Sequence, residues 1–359
     1  MLFWSLFSRS RGEVAPNRRD MQQTVSYAQY HEDMHLLRCF RDKSSGFYID
    51  VGAGHPVHSN VSFFFYLRGW SGITVEPNPW LAQLTAAVRP RDRRIDALIG
   101  AAPGDAIYHL VEGFHGLSTT IESNAQAAQK EFNRPVKSFP IPVTTLRAIC
   151  REHGVSQIDF LKIDVEGAEQ AVLEGNDWAR YRPKVIVAEA VAPITMQPSW
   201  DGWEPILIAN GYRFVFSDDL NRYYADEDQP DAGALLAAKP PSFKGVTQLH
   251  TFGQAQDDQS HPDHRLAVLL QGADMVRLPL LGRGAQVALL TAGVPSGELD
   301  RPASTADAAA IAERLFGLRQ MLPAPQLRRN ATIRDLYEAI VATEAFQAAC
   351  GRISASHAW

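Results

Sequence analysis

From Phe47 to about Tyr224 the chain alternates short, continuous runs of β-branched and aromatic residues with stretches of helical periodicity. Phe47–Val51, Gly72–Val75, Arg94–Ile99, Ile158–Val165 and Lys184–Ala188 read as strands, with shorter β-prone runs at Ile107–Val111 and Ile141–Val143. Ser59–Arg68, Trp80–Val88, Leu146–His153 and Ala168–Leu173 read as helices. Runs that are apolar throughout, rather than at alternate positions, belong to strands covered on both faces. Alternation at this spacing predicts an α/β fold built on a mostly parallel, doubly wound sheet. Tyr212–Phe216 and Arg222–Ala225, flanking Ser217–Asn221, predict an antiparallel hairpin at the sheet edge. No internal repeat of solenoid or propeller length interrupts the pattern.

At 359 residues the chain suits about two domains. The expected organisation is an N-terminal tail over 1–25, an α/β domain over 26–225, a linker or irregular segment over 226–265, and an extension over 266–359. Residues 226–265 are rich in Asp, Gln, Pro, Gly and His without a long periodic run. The extension reads as mainly helical, with two amphipathic helices. Asp307–Met321 places Ile311, Leu315, Leu318 and Leu322 near helical spacing, and Thr332-Ile333-Arg334-Asp335 resembles a capping box before Leu336, Ile340 and Phe346. These helices leave a homo-oligomer open, although packing against their own domain is simpler.

Charge and cysteine content narrow the setting. Thirty-five Lys and Arg against forty Asp and Glu, a net charge of −5, give no electrostatic reason to expect a nucleic-acid or anionic-membrane partner. Cys39, Cys150 and Cys350 form no Cys-x-x-Cys pair, which argues against a zinc ribbon or disulfide scaffold and fits thiols in a reducing compartment. Met1–Phe7 is mostly apolar but has its charge after the apolar run and is far too short to span a bilayer. It can still touch a membrane or partner, but a frayed terminus is the plainer reading. The expectation is a cytoplasmic protein with no integral membrane segment.

The first chemical constellation is Asp50-Val51-Gly52-Ala53-Gly54, where the first strand run stops. Glycines there let the backbone turn tightly and approach a nucleotide-like ligand at the carboxyl edge of a parallel sheet. Glu76 ends the next run, roughly two dozen positions on, where a carboxylate can accept both ribose hydroxyls. The dinucleotide pattern fails at its last position, which holds Val57, and Pro56 removes an amide that a pyrophosphate would use. Asp50 instead suits a ligand with a cationic amino-acid end. S-adenosylmethionine has both that end and a ribose.

The second constellation is Asp159-Phe160-Leu161-Lys162-Ile163-Asp164-Val165-Glu166-Gly167-Ala168-Glu169. Asp164 and Glu166 emerge at the strand's carboxyl end, and Glu189, ending the following strand run, adds a third carboxylate to the same rim. Lys162 is costly to bury unpaired, so it either ion-pairs within the fold or serves the site.

Together with Ser26-Tyr27-Ala28-Gln29, Glu32-Asp33, Gly69–Pro77, Leu173-Glu174-Gly175 and Gly211-Tyr212, these pieces resemble the FkbM family of S-adenosylmethionine-dependent methyltransferases. The resemblance spans about Ser26 to Ala225. It implies a Rossmann-like class I fold and methylation of a hydroxyl, often on a sugar or another natural product. It implies cofactor contacts along the glycine turn at Asp50, Gly52, Ala53 and Gly54, at Glu76, and at the rim by Asp164. It puts Asp164, Glu166 and Glu189 near the reacting hydroxyl of a small-molecule or glycan acceptor. Leu336–Phe346 resembles helical tails of glycan-assembly proteins.

A sulfonium methyl is already activated, so the chain must align an oxygen and take its proton. Asp164 is the first candidate and Glu166 the second. His55 and His115 compete because neutral imidazole is a natural base near pH 7, though either can be structural. Ser118 is a candidate for the acceptor pocket. Three rim carboxylates can also hold a divalent cation, although no metal-ligand spacing compels one. Two other readings stay open: an NAD-dependent oxidoreductase using the same turn, and a non-catalytic binding module in glycan assembly.

Two patterns look like metal sites and are read otherwise. His31-Glu32-Asp33-Met34-His35 matches the zinc-protease pair, but lies within the family's own Glu-Asp region. His261-Pro262-Asp263-His264 reads as a solvated loop.

Overall fold

A computed structural model describes residues 24–238, 243–317 and 330–357. The tail 1–23, Met1–Phe7 included, and the predicted helical positions Leu318, Met321 and Leu322 lie outside the described residues. The chain divides into two compact units. Among the described residues one holds 26–86, 91–238 and 243–244, and the other holds 24–25, 87–90, 245–317 and 330–357.

The first unit is a mixed α/β structure. Its strands are β1 (Phe47–Val51), β2 (Ser71–Val75), β3 (Arg93–Ile95), β4 (Leu98–Ile99), β5 (Gly104–Val111), β6 (Val136–Thr144), β7 (Ile158–Ile163), β8 (Pro183–Glu189), β9 (Tyr212–Ser217) and β10 (Asn221–Asp226). Seven form one sheet in the order β9-β10-β8-β7-β1-β2-β3. β3, β2, β1, β7 and β8 run parallel, whereas β10 pairs antiparallel with β8 and carries the hairpin partner β9. Strand order therefore reverses between β1 and β7. That is where an open parallel sheet leaves a crevice at its carboxyl edge.

The core explains why the strands read as continuous apolar runs. One cluster packs Ile49, Val51, Ile73, Val75, Leu161, Ile163 and Ile186 against Leu146, Val172 and Leu207 of the surrounding helices. Elsewhere in this unit Phe160 is ringed by aromatics, with Tyr48, Phe65, Trp70 and Phe40 centroids at 5.4, 5.0, 6.1 and 6.4 Å.

Several expectations change. The run Arg94–Ile99 divides, because β4 leaves the large sheet to join a separate sheet of order β4-β6-β5. The helix expected over Ser59–Arg68 covers only Phe63–Leu67. Ser59 is left-handed at φ 48°, and Asn60 Oδ1 accepts from the Phe63 amide at 2.8 Å, so the chain enters the helix late. Within the segment read as linker, Pro230–Ala237 is helical, with Ala232 and Leu236 buried.

In the second unit, helices including His264–Leu269, Arg283–Leu290, Thr305–Phe316, Ile333–Val341 and Glu344–Ala355 enclose their own core around Leu266, Leu290, Leu315, Leu336 and Phe346. The expected capping box forms at Thr332 and Asp335, but the helix stops at Val341, and Phe346 belongs to the next one. His261 is buried rather than solvated. Its Nδ1 accepts from the Asp263 amide, while Asp263 forms a buried two-point pair with Arg352 at 2.7 and 2.6 Å.

Phe160→Ala is expected to lower the stability of the α/β unit by about 3–5 kcal/mol. Ile107→Ala, at a side chain 49% exposed, should change it by less than about 0.5 kcal/mol. Urea unfolding of both variants checks the contrast, and equal losses would contradict the aromatic core described.

Candidate active site at the carboxyl edge of the sheet

The backbone at the end of β1 is fixed from both sides. Gly52 and Ala53 amides donate to Val75 O at 3.0 Å, and the Asp164 amide donates to Val51 O at 3.0 Å. Gly52 has φ +73°, and an added Cβ would lie 1.7 Å from Asp164 O. Only glycine lets β1 and the chain leaving β7 come this close. Gly54 is also left-handed, but nothing lies within 4 Å of where its Cβ would stand, so the turn stays open there.

Glu76 closes the turn. Its Oε2 accepts from the Gly54 amide and its Oε1 from the Asn78 amide, both at 2.8 Å. The carboxyl is buried, and burial pushes it up from an ordinary 4.5 to about 7, against the downward pull of these two N–H groups.

Asp50 pairs in register with Lys162 on β7. Its carboxylate is closed off from solvent, Oδ2 accepts from the Ser62 hydroxyl, and Oδ1 lies 3.9 Å from the Lys162 ammonium. Lys162 itself donates to Gly52 O at 3.2 Å and Asp164 Oδ2 at 3.0 Å. Burial would lower its pKa, but Asp164 and Asp50 outweigh that and hold it above the ordinary lysine value.

Asp164, Glu166 and Glu189 come together. One carboxylate oxygen of each lies within 4.8 Å of the others. Glu189 reaches the site from the end of β8, opposite Asn221 of β10. Glu166 stands in the left-handed region at φ 55°, with its carbonyl held by Thr119 Oγ1 and Asn124 Nδ2 at 3.1 and 3.3 Å. Glu169 Oε1 accepts from the Val165 and Gly167 amides and fixes the loop from below. Burial and then the Asp164 charge raise both Glu166 and Glu189 well above the usual carboxylate range.

The two histidines differ. His55 Nδ1 accepts from the Val57 and His58 amides at 3.2 and 3.0 Å, so its proton sits on Nε2, which is buried without a hydrogen-bond partner among the described residues. Burial lowers its pKa to about 3. It is a neutral donor rather than a base. His115 lies 3.0 Å through Nδ1 from the Asn78 amide group, and burial lowers its pKa. Ser118 Oγ accepts from the Val111 amide and so ties a turn to β5.

Sequence reasoning did not single out Ser62, Asn78, Thr119 or Asn124. They act through backbone and side-chain contacts formed only after folding, and no spacing in the chain signals them.

The zinc-protease pattern does not assemble. His31 has φ 63° and precedes the helix Glu32–Phe40, so it does not share a helical face with His35. Glu32 is engaged by the Tyr30 amide and Asn221, and Asp33 by Ser26, Tyr27 and Met34. A cavity of about 250 Å³ lined by Arg180, Arg182, Lys184 and Asp226 lies at the opposite, amino-terminal edge of β7 and β8.

Residues 50–214 match the methyltransferase FkbM domain. This match classes the protein as a methyltransferase, and at the level of the family the chemistry depends on S-adenosylmethionine. It spans less than half of the chain and contains every residue of the crevice described above. No curated protein and no solved structure matches the chain.

Glu76 makes the site sensitive to pH. Between about 4.5 and 7 the folded chain retains a proton that the unfolded chain has released, so stability falls as pH rises through that window, and the penalty is complete above it. Relative to wild type, Glu76→Gln should therefore gain up to about 3 kcal/mol between pH 5 and pH 8. Parallel pH profiles in urea unfolding would remove this assignment.

Proposed function

We propose that the protein is an S-adenosylmethionine-dependent O-methyltransferase acting on a hydroxyl of a sugar in a glycan, glycolipid or related natural product. The sheet is then a Rossmann-like class I arrangement, mostly parallel and doubly wound. The observation that carries the reading is the meeting of an open glycine turn, the Glu76 carboxylate and the Asp164 carboxylate where the strand order reverses. The sugar acceptor rests on the family resemblance alone.

The residues fit the cofactor. Gly54 leaves the space a side chain would fill, and Glu76 has acceptor capacity beyond its two backbone partners. The buried His55 Nε2–H supplies an unused donor near the turn. When bound, S-adenosylmethionine supplies a methyl group already activated on a sulfonium.

The chain's own residues do the rest. Glu76 takes the ribose hydroxyls, and Gly52, Ala53 and Gly54 admit the ligand close to the backbone. Asp50 acts from within, bracing Lys162 and Ser62 instead of meeting solvent. Asp164, held by Lys162, orients the acceptor hydroxyl and takes its proton, and Glu166 and Glu189 flank it. Proximity supplies much of the acceleration.

An NAD-dependent oxidoreductase is less well supported. A pyrophosphate binds at a helix N-terminus close to the glycine turn. Here the next helix does not begin until Phe63. A non-catalytic binding module would have no use for the strained Glu166 beside Asp164 and Glu189.

Calorimetric titration with S-adenosylhomocysteine, with NAD alongside, tests the cofactor. Saturable binding of the homocysteine compound is expected, weakened about tenfold or more in Glu76→Ala. Binding of NAD alone would overturn the reading, and binding of neither would favour the module. Asp164→Asn should still bind the homocysteine compound, while turnover on any sugar acceptor found by screening falls about 100-fold or more. Unchanged turnover would take Asp164 out of the proton transfer.

A further inference from the structure

We propose that Asp164, Glu166 and Glu189 form a binding site for one hard divalent cation, Mg²⁺ or Mn²⁺, at the acceptor side of the crevice. This deepens the transferase reading above and rests on it for the role of the cation, but not for its binding.

The first support is geometry. Carboxylate oxygens from three separate positions lie within 4.8 Å of one another. Ligands across a six-coordinate Mg²⁺ or Mn²⁺ stand roughly 4 Å apart, since each bond is about 2.1 Å. Only one pair of three ligands can stand opposite each other, and neighbouring ligands are roughly 3 Å apart, so the three oxygens can share one ion once their side chains draw in by up to about 2 Å. All donors are carboxylates, which selects a hard, oxygen-loving cation over zinc or copper.

The second support is independent of the clustering. Glu189 is only 6% exposed, yet its Oε2 has no hydrogen-bond partner among the described residues. Most other buried carboxylates in this unit are satisfied by the chain; Asp50 Oδ1 also lacks a hydrogen-bond partner, but it lies 3.9 Å from the Lys162 ammonium. Glu76 and Glu169 accept from backbone amides, Asp33 from Ser26, Tyr27 and Met34, and Asp159 from Lys43, Lys184 and the Phe47 amide. Leaving an acceptor buried and unmatched is costly, and a cation is the partner it lacks. Glu166 Oε2 is also buried and unmatched.

Charge points the same way. The nearest cation, Lys162, is already divided among Gly52 O, Asp164 and Asp50. Three rim carboxyl groups thus face a single ammonium that is already shared. The site is also prearranged, because the Glu166 carbonyl is anchored by Thr119 and Asn124 while Glu169 fixes the loop. Three protein ligands leave positions for the acceptor's hydroxyl oxygen, which a divalent cation makes easier to deprotonate.

The test is titration of the full-length protein, freed of metal with EDTA and exchanged into clean buffer, with Mn²⁺ followed by the electron paramagnetic resonance of free Mn²⁺. One Mn²⁺ per chain is expected, displaced by Mg²⁺. Glu189→Gln and Glu166→Gln should each weaken it about tenfold or more, at least the loss seen when a mere supporting partner of a ligand is removed. Asp258→Asn, far along the chain on an exposed loop, should not. Thermal unfolding without metal controls for folding: neither Gln variant should melt below wild type, and Mn²⁺ should raise the melting temperature of wild type but of neither variant.

Absence of saturable binding by wild type, or equal binding in wild type and both Gln variants, would overturn the site. Calorimetry with S-adenosylhomocysteine in EDTA separates this from the transferase reading. Cofactor binding without Mn²⁺ binding removes the metal alone, whereas Mn²⁺ binding without cofactor binding leaves the metal site and removes its role.

Discussion

The ammonium of Lys162 sits where the two halves of the large sheet meet, bonded to Gly52 O on one side and Asp164 Oδ2 on the other, with Asp50 behind it. Burying a cation costs several kcal/mol unless its donors are met. Here two oxygens just beyond the ends of neighbouring strands accept from it, Asp50 Oδ1 stands 3.9 Å away, and the carboxylates keep it charged despite burial. The same contact fixes the glycine turn. Gly52 passes so close to Asp164 O that no side chain fits between them, so the turn and the rim carboxylate move as one piece. Glu76, Asp164, Glu166 and Glu189 owe their common location to this junction.

Much of this was legible in the chain because buried parallel strands write themselves as uninterrupted apolar runs. Phe47–Val51 and Ile158–Ile163 could be recognised, and so could the acid that ends each neighbouring run. The separate three-stranded sheet was harder to read. Val136–Thr144 contains Pro140 and Pro142, and much of it is exposed, so only its apolar end stood out. The last helix, Glu344–Ala355, does not stand out in the sequence as a separate element. It is buried along most of its length and composed largely of small residues, so it lacks the polar face by which an amphipathic helix shows itself.

The site itself was half visible. Sequence placed the carboxylates at strand ends but could not say which of them the backbone would satisfy. That distinction arises from turns: Asn78, Val165 and Gly167 present amides to Glu76 and Glu169 only because the chain bends there. Nor could sequence assign the role of His55. As an imidazole beside a glycine turn it resembled a base, until two backbone amides claimed Nδ1 and left Nε2 as a donor. Similarly, His31 and His35 had metal-ligand spacing, but a left-handed residue at the helix start broke the geometry that spacing assumes.

The buried acids of this unit differ in how far the chain satisfies them. Asp159 is held by two lysines and an amide, Asp33 by a hydroxyl and two amides, and each fixes a segment in place. Their hydrogen bonds are complete, so they have nothing left to offer a ligand. Glu166 and Glu189 are different: each keeps an unmatched oxygen where burial makes that arrangement unfavourable. A fold that satisfies acids at so many other positions bears this cost at the rim where its parallel strands end. Unmet acceptors beside an open glycine turn are what a site keeps in reserve for the divalent cation inferred above.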